Sequence, residues 1–299
     1  MEIYSKQPLP YSEQLDLLAS RGLIIVDRVN AGSFLRQVHY YRLSAYCLPF
    51  EIARHKFKPD VTFEQIQQLY EFDRQLRSLI DEALEVIEIS FRSAVSYYLA
   101  QKYGRYAHEE PGRFYSRLDH SEWISKIHEE AERSKETFID HYRSKYEGFP
   151  RLPIWIAVEV MSFSSLSMLY HNLLREEQIG LAQAVGFPSK ILSSWLHTFT
   201  YVRNICAHHK RLWNRELAIA IIVPKHKKWE DIKAKRIGSV MFAIMGYLKN
   251  LPSANSIEDI WRAKMEVLLL QEPKVCQFYE EIGLPEDFKT HPLWKKNEA

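Results

Sequence analysis

The sequence predicts an all-α protein, and three observations lead to this prediction. Glycine is scarce, with 10 in 299 residues. No long stretch alternates apolar and polar residues with a period of two, whereas several segments repeat apolar residues every three or four positions. Hydrophobic residues make up 46% of the chain and aromatic residues 13%, which suffices for a sizeable buried core. We therefore expect a bundle of helices.

The longest predicted helix begins at Thr62 and ends at Gly104. Thr62 and Gln65 have the spacing of a capping box, which satisfies free backbone N–H groups at a helix start. Apolar residues then follow the helical period from Ile66 to Leu99, and glycine is a common residue just after a helix end. This element should run for about ten turns.

The other helices are predicted from caps, breaker residues and apolar periodicity. The segment after Pro153 is apolar on most sides, so we expect it at the centre of the bundle. Residues 105–120 should form a loop. The predicted segments are a short helix from Ser12 to Gly22, Val29–Val38, Tyr40–Phe50, a helix from Ser121 to Gly148, the segment after Pro153, a helix from Pro188 through Asn214, and helices around 229–250, 256–271 and near the end.

The chain shows no internal repeat, no low-complexity segment and no linker rich in proline, glycine or serine. One domain over residues 1–299 is therefore the simplest organisation. Within it we expect a bundle core at 61–215. Residues 1–60 and 216–299 would be helical elaborations at the two ends.

Cysteine usage and hydropathy predict the compartment. Cys47, Cys206 and Cys276 are far apart and lack the spacing of a zinc site, which favours a reducing environment. The amino terminus has no signal-peptide pattern, and no apolar run approaches the ~20 residues that span a bilayer. We expect a soluble cytoplasmic protein with no membrane contact, no bound metal and no cofactor.

A net charge of only +2 hides a basic segment. Between Arg203 and Arg236 there are ten Lys or Arg residues against three acidic ones. A local excess of this kind attracts phosphate-bearing partners. The alternative is an ordinary solvated face.

The sequence YVRNICAHHKRLWNR holds the candidate site. As an α-helix with 100° per residue, it places Asn204 and His208 on one face, with Arg211 and Arg215 along the same stripe. Arg203 lies about 100° away, within reach of that face through its long side chain. The predicted catalytic residues are Arg203, Asn204 and His208.

These residue types suit cleavage of RNA without a metal. Histidine exchanges protons near neutral pH, and arginine stabilises charge that gathers on phosphorus. The ribose 2′-hydroxyl supplies the nucleophile, so the products would be a 2′,3′-cyclic phosphate and a 5′-hydroxyl. The spacing alone is not specific, because Arg203–His209 and Arg113–His120 also fit Arg-x(4–6)-His. The alternative is a helix end whose cations complement the helix dipole.

Several ordered blocks beyond this motif resemble the Abi-like (AbiD/AbiF-type) abortive-infection proteins, whose core is a HEPN domain. The resemblance covers nearly the whole chain. The blocks include YSEQLDLLASRGLII, HYYRLSAYCLPF, FEQIQQLYEFDRQLR, ALEVIEISFRSAVSYYLAQKYG, PIWIAVEVMSFSSLSMLY, YVRNICAHHKRLWNR and IGLPEDFKTHPLW.

The resemblance implies a HEPN-type helical bundle that cleaves RNA in phage defence and thereby halts growth. It places the family's Arg-polar-x-x-x-His signature on Arg203, Asn204 and His208. One signature per chain implies a homodimer in which two signatures face one cleft. The resemblance also implies association with a small non-coding RNA.

Other residues are candidates for RNA binding or support of the site. Glu88 and Arg92 have the spacing of an intrahelical ion pair, and the family placement would put them beside the cleft. The basic residues that follow the signature, together with His209 as an alternative proton carrier, complete this set: His209, Lys210, Arg211, Arg215, Lys225, Lys227 and Lys228. For Asp73, Arg74 and Arg77 we expect a structural network, and for Tyr40 and Tyr46 core positions rather than base stacking.

Two hypotheses follow for the function. The first is a dimeric endoribonuclease that acts as a toxin. The second is a HEPN protein without turnover, which binds RNA and acts by sequestration or through a non-coding RNA partner. A helical module with incidental basic charge is a third, and salt-dependent RNA binding would argue against it.

Overall fold

A computed structural model describes residues 7–252, 257–271, 273 and 278–295. The predicted all-α class is confirmed, since the described residues form thirteen α-helices and a single two-stranded antiparallel sheet. The helices are α1 (Tyr11–Ser20), α2 (Arg28–Val38), α3 (Tyr40–Cys47), α4 (Phe63–Tyr103), α5 (His120–Arg133), α6 (Thr137–Lys145), α7 (Ile154–Val160), α8 (Phe163–Asn172), α9 (Arg175–Ala184), α10 (Ser189–Ala207), α11 (Ile237–Lys249), α12 (Ile257–Leu269) and α13 (Phe278–Ile282). The strands are β1 (Glu51–Ala53) and β2 (Lys56–Phe57).

Helix α4 is the axis of the fold and matches the predicted long helix. The Gln65 side chain accepts a hydrogen bond from the Thr62 backbone N–H at 2.9 Å, which confirms the capping box. Gly104 ends the helix with a φ of 85°, a conformation that favours glycine. The apolar stripe from Ile66 to Leu99 is buried, and α4 contacts α3, α7, α9, α10, α11 and α12.

The first helix starts slightly earlier than predicted. Pro10 occupies the N-cap position of α1, so Ser12 lies in the first turn and does not cap the helix. Leu15 and Leu18 are buried as their spacing indicates, and Gly22 adopts a φ of 96° just beyond the helix.

The predicted helix from Ser121 to Gly148 is two helices. Asp119 caps α5, because its carboxylate accepts a hydrogen bond from the Glu122 backbone N–H at 3.0 Å. The chain is extended at Ser134 and Glu136, which separates α5 from α6. The single-helix prediction was therefore wrong at this point.

The segment after Pro153 is central as predicted, yet it is also broken. Ser162 has an extended backbone, and its hydroxyl accepts a hydrogen bond from the Ser165 backbone N–H at 3.1 Å. This cap starts α8 anew after α7. Apolar side chains of both helices, among them Ile154 and Leu166, are fully buried.

The carboxyl-terminal part differs in its helix starts. Helix α11 begins at Ile237 rather than near 229, and most of its side chains are buried.

Cys47 and Cys206 are buried free thiols, and burial raises the pKa of each to about 12. Cys276 lies outside the described residues. No helix among the described residues is long and apolar enough to cross a membrane.

Candidate nucleic-acid site

Helix α10 positions the candidate residues but ends earlier than predicted. It spans Ser189–Ala207, and His208 is its C-cap. The predicted helical stripe from Asn204 to Arg211 and Arg215 is therefore wrong, since the chain after His208 is not helical.

The helix end is a Schellman motif formed without glycine. The His209 N–H donates to the Cys206 carbonyl at 2.9 Å, and the Lys210 N–H donates to the Ile205 carbonyl at 3.0 Å. His209 has a φ of 53°, the left-handed conformation that glycine usually provides in this motif. Tertiary contacts must therefore stabilise this turn.

Those contacts come from α3 and α4. The Arg42 guanidinium donates to the His209 carbonyl oxygen. Leu212 follows three residues after His209. The backbone N–H groups of Leu212 and Trp213 donate hydrogen bonds to the buried Asp73 carboxylate, at 3.1 Å and 2.6 Å. Residues 209–213, which begin the loop after α10, are thus attached to α3 and α4.

Asp73 is the centre of a buried polar network. It also accepts hydrogen bonds from the Tyr46 hydroxyl, at 2.6 Å, and from the Arg77 guanidinium. The prediction of a structural network is confirmed for Asp73 and Arg77, whereas Arg74 pairs with Glu71 at the surface. Tyr46 is buried as predicted, and burial beside the Asp73 charge raises its pKa.

Arg203, Asn204 and His208 form the exposed end of α10. The His208 N–H donates to the Asn204 carbonyl at 3.1 Å, so the two residues remain one helical turn apart on the same face. All three side chains are exposed, and none forms a hydrogen bond or ion pair with another described residue. They are free to contact a ligand.

A cleft of about 780 Å³ adjoins this helix end. Arg203 lines it together with Glu88 and Arg92 of α4, so the structure brings these three predicted residues to one cavity. Arg117, Trp123 and Lys126, from the α4–α5 connection and α5, also line it. The cleft therefore presents guanidinium groups from three different parts of the chain.

The Glu88–Arg92 ion pair is largely desolvated. Each side chain is only 12% exposed, and the Arg92 Nη2 atom contacts Glu88 Oε1. The Nη1 atom of Arg92 is buried and has no hydrogen-bond partner among the described residues. A buried donor without a partner is unfavourable, and an anionic ligand in the cleft would satisfy it.

Sequence reasoning missed Asp81 of α4. Its carboxylate lies in the field of Arg203 and His209. Burial raises the pKa of Asp81, Glu88 raises it further, and the charges of Arg203 and His209 oppose that rise. Asp81 and Glu88 are seven residues apart, a spacing that puts them on one face of a helix and that the sequence could have indicated.

The later members of the predicted set lie elsewhere. Arg211 faces α3, where its Nη1 donates to the Ala45 carbonyl at 2.6 Å. Arg215 donates from Nε to the Arg211 carbonyl at 2.7 Å. Neither lines the cleft, and Lys210 is exposed beside them. Arg211 and Arg215 therefore hold the loop after α10.

Lys225, Lys227 and Lys228 are exposed, and none of them lines the cleft. The Trp229 ring that follows them packs on Trp195, with ring centroids 5.6 Å apart. This contact puts the lysine-rich turn beside the first half of α10, away from Arg203.

Among the described residues, no group of three His, Cys, Asp or Glu side chains is arranged to hold a metal ion.

The chain matches one family model over residues 33–214, which is more than half of its length. The matched segment includes α4, the cleft and the end of α10. No curated protein and no solved structure matches the chain. The chain belongs to the family described as Abi-like protein, a family of abortive-infection phage defence.

Proposed function

We propose that this protein is a metal-independent endoribonuclease of phage defence. The observation that carries the proposal is the exposed end of α10, where Arg203 lines the cleft that contains Arg92, and the side chains of Asn204 and His208 are exposed next to it without a hydrogen bond or ion pair to a described residue. An imidazole can exchange protons near neutral pH, and guanidinium groups bind phosphate oxygens, so these groups suit cleavage of a phosphodiester. Membership of the Abi-like family supports the role in defence.

The proposed step is an intramolecular transesterification. The 2′-oxygen of a ribose forms a bond to the adjacent phosphorus, and the bond from phosphorus to the 5′-oxygen of the next nucleotide breaks. A base accepts the 2′-hydroxyl proton, and an acid donates a proton to the departing 5′-oxygen. The products are a 2′,3′-cyclic phosphate and a 5′-hydroxyl, and no other reactant is consumed.

His208 is the proposed proton carrier, because an imidazole is a competent acid or base near neutral pH. Arg203 and Arg92 would stabilise the charge that develops on the phosphate oxygens. Asn204 lies on the same face as His208, where its amide can orient the imidazole or hold a phosphate oxygen.

A homodimer of HEPN-type bundles is part of this proposal. One copy supplies a single His208, whereas the reaction moves one proton away from the substrate and another onto it. Two α10 ends that face a common cleft would supply both groups. The resemblance to HEPN proteins supports the same arrangement.

Purified protein incubated with RNA in excess EDTA tests the reaction class. We expect cleavage to persist without divalent metal, and the fragments to carry 5′-hydroxyl ends that a polynucleotide kinase labels directly. RNA with 2′-O-methyl ribose should resist cleavage, because its nucleophile is blocked. A requirement for metal, or fragments with 5′-phosphate ends, would contradict the mechanism.

Arg203 and Arg211 provide a matched pair of arginine variants. Arg203→Ala should reduce the rate of cleavage by about 100-fold, the usual cost of removing one donor to a developing oxyanion. Its free energy of unfolding should change by less than about 0.5 kcal/mol, because the side chain is exposed and forms no hydrogen bond or ion pair with a described residue.

Arg211→Ala should show the opposite balance. It removes the hydrogen bond to the Ala45 carbonyl, so the free energy of unfolding should fall by about 1–3 kcal/mol with a smaller loss of rate. Urea unfolding and initial rates measure the two effects. A large rate loss for Arg211→Ala combined with none for Arg203→Ala would contradict the proposal, because it would assign the phosphate contact to Arg211 instead of Arg203.

A further inference from the structure

A second cavity lies along the first half of α10, at the end of the helix opposite to Arg203. Its volume is about 560 Å³. We call this cavity the basic pocket. Its lining side chains come from α8, α9, α10 and the α4–α5 connection, and they include Arg117, His171, Arg175, Lys190, Ser193 and His197. Among the residues that the structure describes, no aspartate or glutamate lines this pocket. Its chemistry is therefore that of an anion site.

The charges of the basic pocket are not neutralised within the described part of the chain. Arg175 and Lys190 are exposed and form no ion pair with a described carboxylate. Arg117 is held by neutral groups only, since its Nε donates to the Asn172 side-chain oxygen at 3.0 Å and its Nη2 to the His171 carbonyl at 2.7 Å. Three cations thus share one cavity without a counter-charge.

Two histidines add to this arrangement. The His171 Nδ1 atom lies 2.9 Å from the Ser193 hydroxyl. Burial lowers the pKa of His171, and the charges of Arg117 and His197 lower it further. The pocket therefore disfavours additional positive charge as it stands, and a bound anion would relieve this repulsion.

The basic pocket and the cleft beside Arg203 share a lining residue. Arg117 lines both cavities. His197 and Arg203 lie on one helix, and a rise of 1.5 Å per residue separates them by about 9 Å, with Lys190 about 20 Å from Arg203. Several nucleotides of a single strand cover such a distance.

We propose that the basic pocket binds backbone phosphates of the RNA strand whose scissile bond lies at Arg203 and His208. This inference rests on the proposed function, because the proposed cleavage site at Arg203 and His208 sets the path of the RNA strand along α10. The contacts are to phosphates, so they would add affinity and register without choice of sequence. Arg117 would contact the strand between the two cavities.

The test measures binding of a 12-nucleotide 2′-O-methyl RNA, which cannot be cleaved by the proposed step, at several salt concentrations. The variants are Arg175→Gln, Lys190→Gln and their combination. The control is Lys135→Gln, an exposed lysine between α5 and α6 that lines neither cavity. Because all three side chains are exposed, we expect the variants to fold, and thermal unfolding checks this.

We expect the double variant to bind about 10-fold more weakly at low salt and Lys135→Gln to bind as the wild type does. The slope of log affinity against log salt should become shallower by about 1.4, which corresponds to two lost phosphate contacts on a single strand. Affinity and slope equal to those of the wild type would overturn the proposal.

The same measurement separates this proposal from the proposed function. If the wild type binds the 2′-O-methyl RNA through the basic pocket but cleaves no RNA, the nuclease fails and the pocket stands. If the wild type cleaves RNA while the double variant binds normally, the pocket fails and the nuclease stands. Absence of RNA binding by the wild type would overturn both.

Discussion

Replacement of His208 by alanine should reduce RNA cleavage by 100- to 10,000-fold while RNA binding is retained. General acid–base catalysis by one positioned side chain contributes about that factor. The side chain is exposed and has no described partner, so the variant should remain folded. Cleavage rates of wild type and His208→Ala on the same RNA, with affinity for 2′-O-methyl RNA measured beside them, check this result.

His209→Gly is the matched control. His209 contributes its backbone to the helix end, through a φ of 53° and a carbonyl that accepts from Arg42. Glycine adopts that conformation readily, so we expect stability equal to the wild type or up to about 1 kcal/mol above it, with cleavage retained. If His209→Gly abolishes cleavage and His208→Ala does not, the proton carrier is His209.

The His208→Ala variant also separates the nuclease from the sequestration hypothesis. A protein that acts only by binding RNA should keep its effect on growth and on phage infection when the imidazole is removed. A nuclease should lose both while still holding RNA. The third alternative, cations that only complement the dipole of α10, predicts that neither His208→Ala nor Arg203→Ala alters any RNA phenotype.

The long helix could be predicted from the sequence because its local signals agree. The capping box at Thr62, the apolar stripe and Gly104 all indicate the same element, and α4 has those limits. The break before Ser162 was missed because the apolar run continues across it, and the break after Arg133 was missed because no proline or glycine marks the polar segment 134–137. At the first break, the serine hydroxyl caps α8, a signal visible in the sequence but outweighed there by the apolar run.

The end of α10 could not be predicted from local sequence. A Schellman motif normally has glycine at the position that His209 occupies. Here contacts from residues distant in sequence, Arg42 and Asp73, stabilise the turn. The periodicity therefore overestimated the length of α10 and placed Arg211 on the helix face of Asn204 and His208, whereas it contacts α3.

The candidate site could also be predicted only in part from the sequence. Arg203, Asn204 and His208 lie within one helical turn or next to it, so their spacing indicated a shared surface. The proximity of Arg203 to Glu88 and Arg92 depends on how α10 packs against α4, which the resemblance implied and residue spacing could not provide. Arg117 lies in a connection without periodicity, and no local signal marked it.

The largest expected loss of stability follows from Asp73→Asn. The Asp73 carboxylate is fully buried and accepts from Tyr46, Arg77 and two backbone N–H groups of the loop after α10. The amide leaves the buried Arg77 cation without its counter-charge and presents a donor where acceptors are needed. Breaking a buried ion pair from one side costs about 3–5 kcal/mol. We expect a fall of that size in the free energy of urea unfolding.

Two further variants make this prediction decisive even if Asp73→Asn fails to fold. Tyr46→Phe removes the hydrogen bond to the same carboxylate and the one that the Tyr46 hydroxyl accepts from Arg77 Nη1 at 3.3 Å, and should cost about 1–3 kcal/mol. Arg74→Gln disrupts only the exposed pair with Glu71 and should cost less than about 1 kcal/mol. Because the Asp73 network holds the loop that follows His208, Tyr46→Phe should also slow RNA cleavage, whereas Arg74→Gln should not. Equal stability of the two milder variants would show that the network does not anchor this loop.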